Sequence, residues 1–325
     1  MSDKEMQAQP EQSTVFAPES SLLESIISES RVARSENERS RARDLIEELV
    51  AQVLEGEVLP SKDLIAVLDA RIAEIDAMLS EQMNEIMHAG EFQQLESSWR
   101  GLKYLVDQSE TGGNMKIQVL NATRKDLVRD MKSAPEFDQS ALFKKVYEEE
   151  YGTFGGAPFG MLIGDFEFSR SPEDIYLLEQ VSHVAAAAHA PFISAASPEL
   201  FGWDSFTEMT GPRDLSKVFD TVEYAKWKSF RNSEDARYVG LTLPHVLGRL
   251  PYGPETAPVE EFNFVESVDG RDHNQYLWMN AAYAMGARVT GAFANYGWCV
   301  AIRGVEGGGL VEDLPTHTFQ TDDGE

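Results

Sequence analysis

Two glycine-rich stretches, two histidines, two carboxylates and one cysteine are the places where this chain could hold chemistry. Gly152 to Gly164 could suggest a phosphate cradle. It lacks the Gly-Lys-Ser/Thr ending and the following helix start that a P-loop needs, so it reads as loop and turn glycines before a buried strand. Gly307-Gly308-Gly309 has neither Gly-x-Gly-x-x-Gly spacing nor a following helix. It reads as a loop that needs positive backbone angles or tight packing against a neighbour. His183 and His189 are six apart. That spacing points them to different faces of a helix, unlike the i, i+4 pair of a zinc helix.

Asp165 and Glu167 alternate along a strand and would share a face, the arrangement in which paired carboxylates do acid–base work. They sit at the end of an apolar run, where charge normally meets solvent. Cys299, between Trp298 and Val300, reads as a buried and inert thiol in a strand, with no activating base near it in sequence. No catalytic constellation survives, and neither a cofactor nor a metal is expected. Tyr224-Ala-Lys-Trp-Lys-Ser-Phe-Arg231 interleaves aromatic and basic residues. It fits either a core element or a face for an acidic partner surface.

The elements that would position these residues follow from periodicity. Phe92, Leu95, Trp99, Leu102 and Leu105 recur at helical spacing, while Glu91, Gln94, Glu96 and Arg100 keep the rest of that helix wet. Trp99, with Phe92, Leu95 and Leu102, is expected to be buried at the join of a helical N-terminal region and the main body. Lys116 to Leu120 reads as a strand, and Thr123-Arg-Lys-Asp126 as a capping box opening a helix. Phe159 to Phe166 is an apolar strand, and Ser171-Pro-Glu-Asp174 opens another helix with Ser as N-cap. Phe192 to Ala195, Tyr238 to Leu243 and Cys299 to Ile302 are further strands, and Tyr276 to Tyr296 is helical. Helix and strand in alternation imply an α/β body.

Ahead of that body the pattern is helical. Residues 1–20 are Gln-, Glu-, Ser- and Pro-rich and read as a disordered tail. Residues 21–88 form the N-terminal helical region and residues 89–325 the body. Leu22, Leu23, Ile26 and Ile27 make a short apolar patch, followed by Arg31, Arg34, Arg39, Arg41 and Arg43, a basic island. A helix from Leu45 to Leu54 stops at Gly56. After it, Leu64, Leu68, Ile72, Ile75, Leu79, Met83 and Ile86 form a coiled-coil-like seam, and the region reads as a helical hairpin.

Composition bounds the partners. Lys+Arg of 28 against Asp+Glu of 55 gives a formal charge of −27. Such a field repels nucleic acid and anionic membranes. One cysteine rules out an internal disulfide and fits a reducing compartment. Met1-Ser-Asp-Lys-Glu is no signal peptide and no run suits a membrane span, so a cytoplasmic protein without membrane insertion is expected.

The wording of several runs is more specific. Phe92-Gln-Gln-Leu-Glu-Ser-Ser-Trp-Arg-Gly-Leu102, Phe137-Asp-Gln-Ser-Ala-Leu-Phe143, Leu162-Ile-Gly-Asp165, Arg237-Tyr-Val-Gly-Leu-Thr-Leu-Pro244, Arg249-Leu-Pro-Tyr-Gly-Pro254 and Gly297-Trp-Cys-Val-Ala-Ile-Arg303 resemble, in order, the large subunit of the bacterial type VI secretion contractile sheath, the TssC/VipB family. The resemblance implies a contractile-tail-sheath-like α/β body behind the helical hairpin. It implies a bacterial, cytoplasmic structural protein, not an enzyme, that self-assembles into a helical sheath with the small sheath subunit (TssB/VipA). The inner tube protein (Hcp), baseplate components and a ClpV-type AAA+ unfoldase are the other implied partners. The unfoldase grips an N-terminal helix in this family, and Leu22, Leu23, Ile26 and Ile27 are the residues here that fit. Their alternative is to cap the Leu45–Leu54 helix inside the fold. Family members continue beyond the point matching Glu325, so the chain is expected to be truncated after the strand-like Thr316–Thr321. A cytosolic α/β enzyme with an unrecognised site and an adaptor recruiting an ATPase are the competing readings.

Overall fold

Local signals set the frame. In a computed structural model of the chain, which describes residues 40–41, 43–48, 51, 64–210, 214–260, 262–270, 272–312 and 314–316, Thr123 and Asp126 form both bonds of the expected capping box. Two otherwise orphaned N–H groups at the start of a helix are thereby satisfied. The Ser171 hydroxyl accepts from the Asp174 N–H, with Pro172 at the first helical position, where a missing N–H costs nothing.

The chain divides into two units, Met1–Met78 and Leu79–Glu325. In the first, Leu68, Ile72, Ile75 and Met78 of helix α1 (Leu64–Met87) are all exposed. Of the other expected arm of the hairpin, Leu45 to Leu54, residues 45–48 and 51 are described, all helical, and the others lie outside the described residues.

The second unit carries the end of α1, then α2 (Gly90–Asp107), α3 (Arg124–Ser133) and a short α4 (Ala141–Phe143) that runs on as π-type turns over Lys144–Tyr151. Strands β1 (Leu162–Phe168), β2 (Phe192–Ala196) and β3 (Val239–Thr242) form a parallel sheet in the order β1-β2-β3. Helices α5 (Pro172–Ala188) and α6 (Ala225–Arg231) come between them. A two-residue antiparallel pair, β4 (Val246–Leu247) with β5 (Trp278–Met279), precedes α7 (Ala282–Tyr296).

A parallel sheet needs cover on both faces. On one face Leu177, Leu178, Val181 and Val184 of α5 pack with Phe168, Phe192 and Val239. On the other, Ile163 joins Leu105 of α2 with Tyr283 and Ala287 of α7. Glycine permits that second packing. A Cβ on Gly101 would overlap the Tyr283 ring, and one on Gly286 would lie 2.6 Å from Ile163. The α/β class is as expected.

Three elements differ from the sequence reading. Lys116–Leu120 and Cys299–Ile302 form no strand, and the helix ending at Tyr296 starts at Ala282 rather than Tyr276. β-rich composition marks a segment that suits a ladder, but a ladder requires a neighbour, and no neighbouring strand lies beside either segment among the described residues. Before α7, Tyr276–Met279 is taken up by β5 and its approach, because Trp278 and Met279 pair with Leu247 and Val246.

Candidate assembly interface

The carboxylates and histidines singled out by spacing are engaged separately. Asp165 meets the Tyr283 hydroxyl; burial first, then the Asp165 charge and hydrogen bond, push that hydroxyl well above the usual tyrosine range. Glu167 pairs with His245 at 2.8 Å. His183 sits 2.8 Å from Asp235, whereas His189 adopts a left-handed φ of 52° at the end of α5. Gly308 takes a φ of 81° in a turn packed on Ala301, the geometry expected of the glycine triplet. Cys299 is exposed rather than buried, since the segment around it gains no sheet to cover it. Tyr224, Trp227 and Phe230 are core, with Lys226 and Arg231 outside. No group of three or more His, Cys, Asp or Glu among the described residues stands close enough to hold a metal.

What the structure does assemble is a clamped helix with a bare apolar face. On α2, Phe92, Leu95, Trp99, Leu102 and Val106 lie within an arc of about 80° at 3.6 residues per turn. Trp99 is 66% exposed and Leu95 57%; Phe92 and Val106 are exposed as well. The expectation that Trp99 is buried at a join is therefore wrong. The core takes the neighbouring arc instead, with Gly101 and Leu105 against Tyr283, and only Leu102 bridges the two. Met83 and Ile86 near the end of α1 are also exposed.

On the other flank α2 is held by charge. Arg249 is 9% exposed and reaches both Glu266 (2.5 and 3.1 Å) and Glu96 of α2 (2.8 and 3.4 Å). Glu96 also receives Arg100 at 2.6 Å, and Arg100 donates to the Tyr252 hydroxyl at 2.9 Å. The Tyr252 N–H donates to Glu266 at 2.9 Å, and the Arg249 guanidinium lies 4.6 Å above the Tyr252 ring. His88 Nε2 stands 3.4 Å from Glu266, too poorly aligned for a hydrogen bond. Burial alone would raise the Glu96 carboxyl, but hydrogen bonds from Arg249 and Arg100 outweigh it and hold it below the usual range. Burial would likewise lower Arg249, and the two glutamates more than offset it.

A pH dependence follows. Folded, Glu96 binds its proton less readily than in the unfolded chain. Its contribution is therefore complete above the unfolded pKa of about 4.3 and is lost as pH falls through the folded value. Urea melts between pH 7 and pH 3 should show an acid limb that flattens in Glu96→Gln; an unchanged limb would refute the assignment.

Arg249, Tyr252, Glu96 and Arg100 all lie in runs singled out by resemblance, and the i, i+4 pair Glu96–Arg100 is visible as a spacing. Glu266 carries no signal, because its role depends on a loop returning to Arg249. Beside the stripe, Leu102 and Val106 border an open groove of about 500 Å³ with Met115, Lys116, Ile117 and Val119. Leu22, Leu23, Ile26 and Ile27 lie outside the described residues. No helix among the described residues is long and apolar enough to cross a membrane.

A family model described as VipB, EvpB/VC_A0108, tail sheath N-terminal domain, matches residues 69–325. The chain is 51% identical over 293 residues to the type VI secretion system sheath protein TssC1 of Pseudomonas aeruginosa, an alignment covering 90% of this chain. The chain spans 59% of that relative's length.

Proposed function

The chain belongs to the VipB tail-sheath family, and from that premise we propose that it is a structural subunit of the type VI secretion contractile sheath. It assembles in the bacterial cytoplasm with the small sheath subunit into a helical sheath on a baseplate, around the inner Hcp tube. The observation that carries this reading is the exposed Phe92–Leu95–Trp99 face on a helix clamped from two other sides. A monomeric protein has little reason to fix a large apolar stripe rigidly in water, and aromatic anchors on pre-ordered surfaces are what interfaces use.

Contraction is work done by two packings of one lattice. Interfaces with discrete alternative arrangements store free energy in the extended state and release it on switching, driving the tube and its effectors outward. ATP enters only afterwards, through a ClpV-type unfoldase that recycles the contracted sheath.

That unfoldase grips Leu22, Leu23, Ile26 and Ile27, helped by the arginines from Arg31 onward. Four such side chains supply roughly 6–12 kcal/mol gross, much of it offset by ordering the helix and by lost translational freedom, which leaves micromolar affinity. A polymer offering many copies is then engaged by avidity while a lone dimer is spared.

Electron microscopy of the full-length protein co-expressed with the small sheath subunit tests the reading. Tubular sheaths are the expected result, and a monodisperse monomer that never co-purifies overturns it. Leu23→Asp with Ile26→Asp should leave assembly intact and abolish unfoldase-driven disassembly; normal disassembly by the double variant would refute the grip site.

A further inference from the structure

A second groove, of about 500 Å³, lies between α7, the β4–β5 pair and the segment that follows α7. Its walls are mostly apolar and include Leu243, Val246, Trp278, Met285, Val311 and Pro315. Such a volume and lining suit a small-molecule site, in which a few placed polar groups interrupt an apolar wall. Among the described residues no Asp or Glu lines it, in a chain that carries 55 of them. Arg288 of α7 does line it.

Arg288 stands apart from the other part-buried cations. Among the described residues, Arg43, Arg71, Arg100, Lys228 and Arg249 are part-buried, and each meets a carboxylate. Arg288 is part-buried as well and meets none among them. One arm of its guanidinium, Nη1, donates to the Leu310 carbonyl at 2.9 Å, while Nε is buried with no hydrogen-bond partner. Glu306 and Glu312, the acidic residues of the following segment, are exposed and do not pair with it. His245, the other titratable group on the wall, is already held by Glu167 at 2.8 Å. Withdrawing a cation from water is costly unless an anion compensates it. Here the anion is missing, and an apolar groove lies beside the vacancy in the charge balance.

We propose that this groove binds a small aliphatic carboxylate, with the carboxylate on Arg288 and the hydrocarbon body along Val246, Trp278 and Met285. A guanidinium matches a carboxylate in shape and holds it by charge-assisted bonds, and each methylene buried against the walls adds affinity. The formal charge of −27 does not bar an anion from the site. At physiological ionic strength, exposed charges are largely screened beyond about 8 Å, and the groove wall presents no carboxylate to repel one. The site stands whether or not the chain assembles.

Calorimetric titration of the full chain with octanoate, 1-octanol and acetate tests the assignment. Octanoate should occupy a single site and bind at least about tenfold more tightly than the uncharged octanol or the tailless acetate. Arg288→Met should weaken octanoate about 10- to 100-fold, the loss expected of one charge-assisted bond, and leave octanol unchanged. Arg288→Lys keeps the charge and should recover part of the affinity. Met285→Trp fills the groove, leaves the Arg288–Leu310 bond in place and should abolish binding, so the proposal stays open to refutation if Arg288→Met fails to fold. Octanoate held no more tightly than octanol, or held unchanged by Met285→Trp, overturns the site. Octanoate that does not bind at all overturns it too; if residues 242–247 then become protected from hydrogen exchange only on assembly, the groove belongs to a protein partner.

Discussion

Trp99→Ala is expected to abolish co-purification with the small sheath subunit while leaving the fold intact. The indole is 66% exposed, so truncation opens no internal cavity. Surface changes of that kind stay within about 0.5 kcal/mol of the parent, a shift of roughly 1–2 °C in Tm for a body of this size. In the assembly the same ring, flanked by Leu95 and Phe92, becomes the centre of an apolar patch. Aromatic residues in such positions lose about 2–4 kcal/mol on truncation, which weakens association roughly 30- to 1,000-fold. Leu105→Ala is the control, because Leu105 is 4% exposed against Tyr283 and Ala287. It should cost about 2–5 kcal/mol of stability, as buried leucines do. Thermal melts beside pull-downs separate the two outcomes. A Tm loss for Trp99→Ala as large as that for Leu105→Ala would return Trp99 to the core and remove the interface.

That contrast shows where the sequence is legible. Caps are readable because they are local: Thr123 with Asp126, and Ser171 with Pro172, need only neighbouring residues to satisfy orphaned N–H groups. The strands Leu162–Phe168, Phe192–Ala196 and Val239–Thr242 can be read to within a few residues, because burial leaves short, mostly apolar runs, interrupted in the first by Asp165 and Glu167. The α2 stripe is visible too, but periodicity reports only that apolar residues share a face. It cannot report what covers them. The body of this chain covers one arc, through Gly101 and Leu105, and the rest stands open. The same reasoning explains Lys116–Leu120, whose pattern is strand-like although no strand pairs with it among the described residues. Cys299 misleads for the opposite reason: an apolar run suggests burial, yet the thiol is exposed and no strand forms around it among the described residues. The Arg249–Glu266 bond is out of reach, because it joins two loop positions with no shared period.

Arg249→Met should be the most damaging single change to stability, and the reason is the charge it leaves behind. Glu266 is 2% and Glu96 13% exposed at the side chain, and the guanidinium is the cation shared by both. Removing one partner of a buried ion pair costs about 3–5 kcal/mol, mostly as uncompensated charge. Methionine keeps much of the volume and part of the packing on Tyr252, which isolates the electrostatic term. A Tm lower by about 10 °C is expected. Adding Glu96→Gln and Glu266→Gln to the same variant should recover part of the loss. The charge left bare on Glu266 and the one on Glu96 that only Arg100 still faces at 2.6 Å are then gone, and the amide oxygen introduced by Glu266→Gln can still accept the Tyr252 N–H that Glu266 accepts at 2.9 Å. A single variant costing under about 1 kcal/mol, or a triple variant no better than the single, would mean the knot is a solvated surface pair, for which such small values are usual. The knot matters beyond stability because of where it grips. Glu96 and Arg100 lie on one flank of α2, Gly101 and Leu105 face α7, and the Phe92–Trp99 arc is what remains. Loosening Arg249 therefore frees the helix to roll its apolar stripe toward its own core, and the face offered to a partner loses its fixed orientation along with its stability.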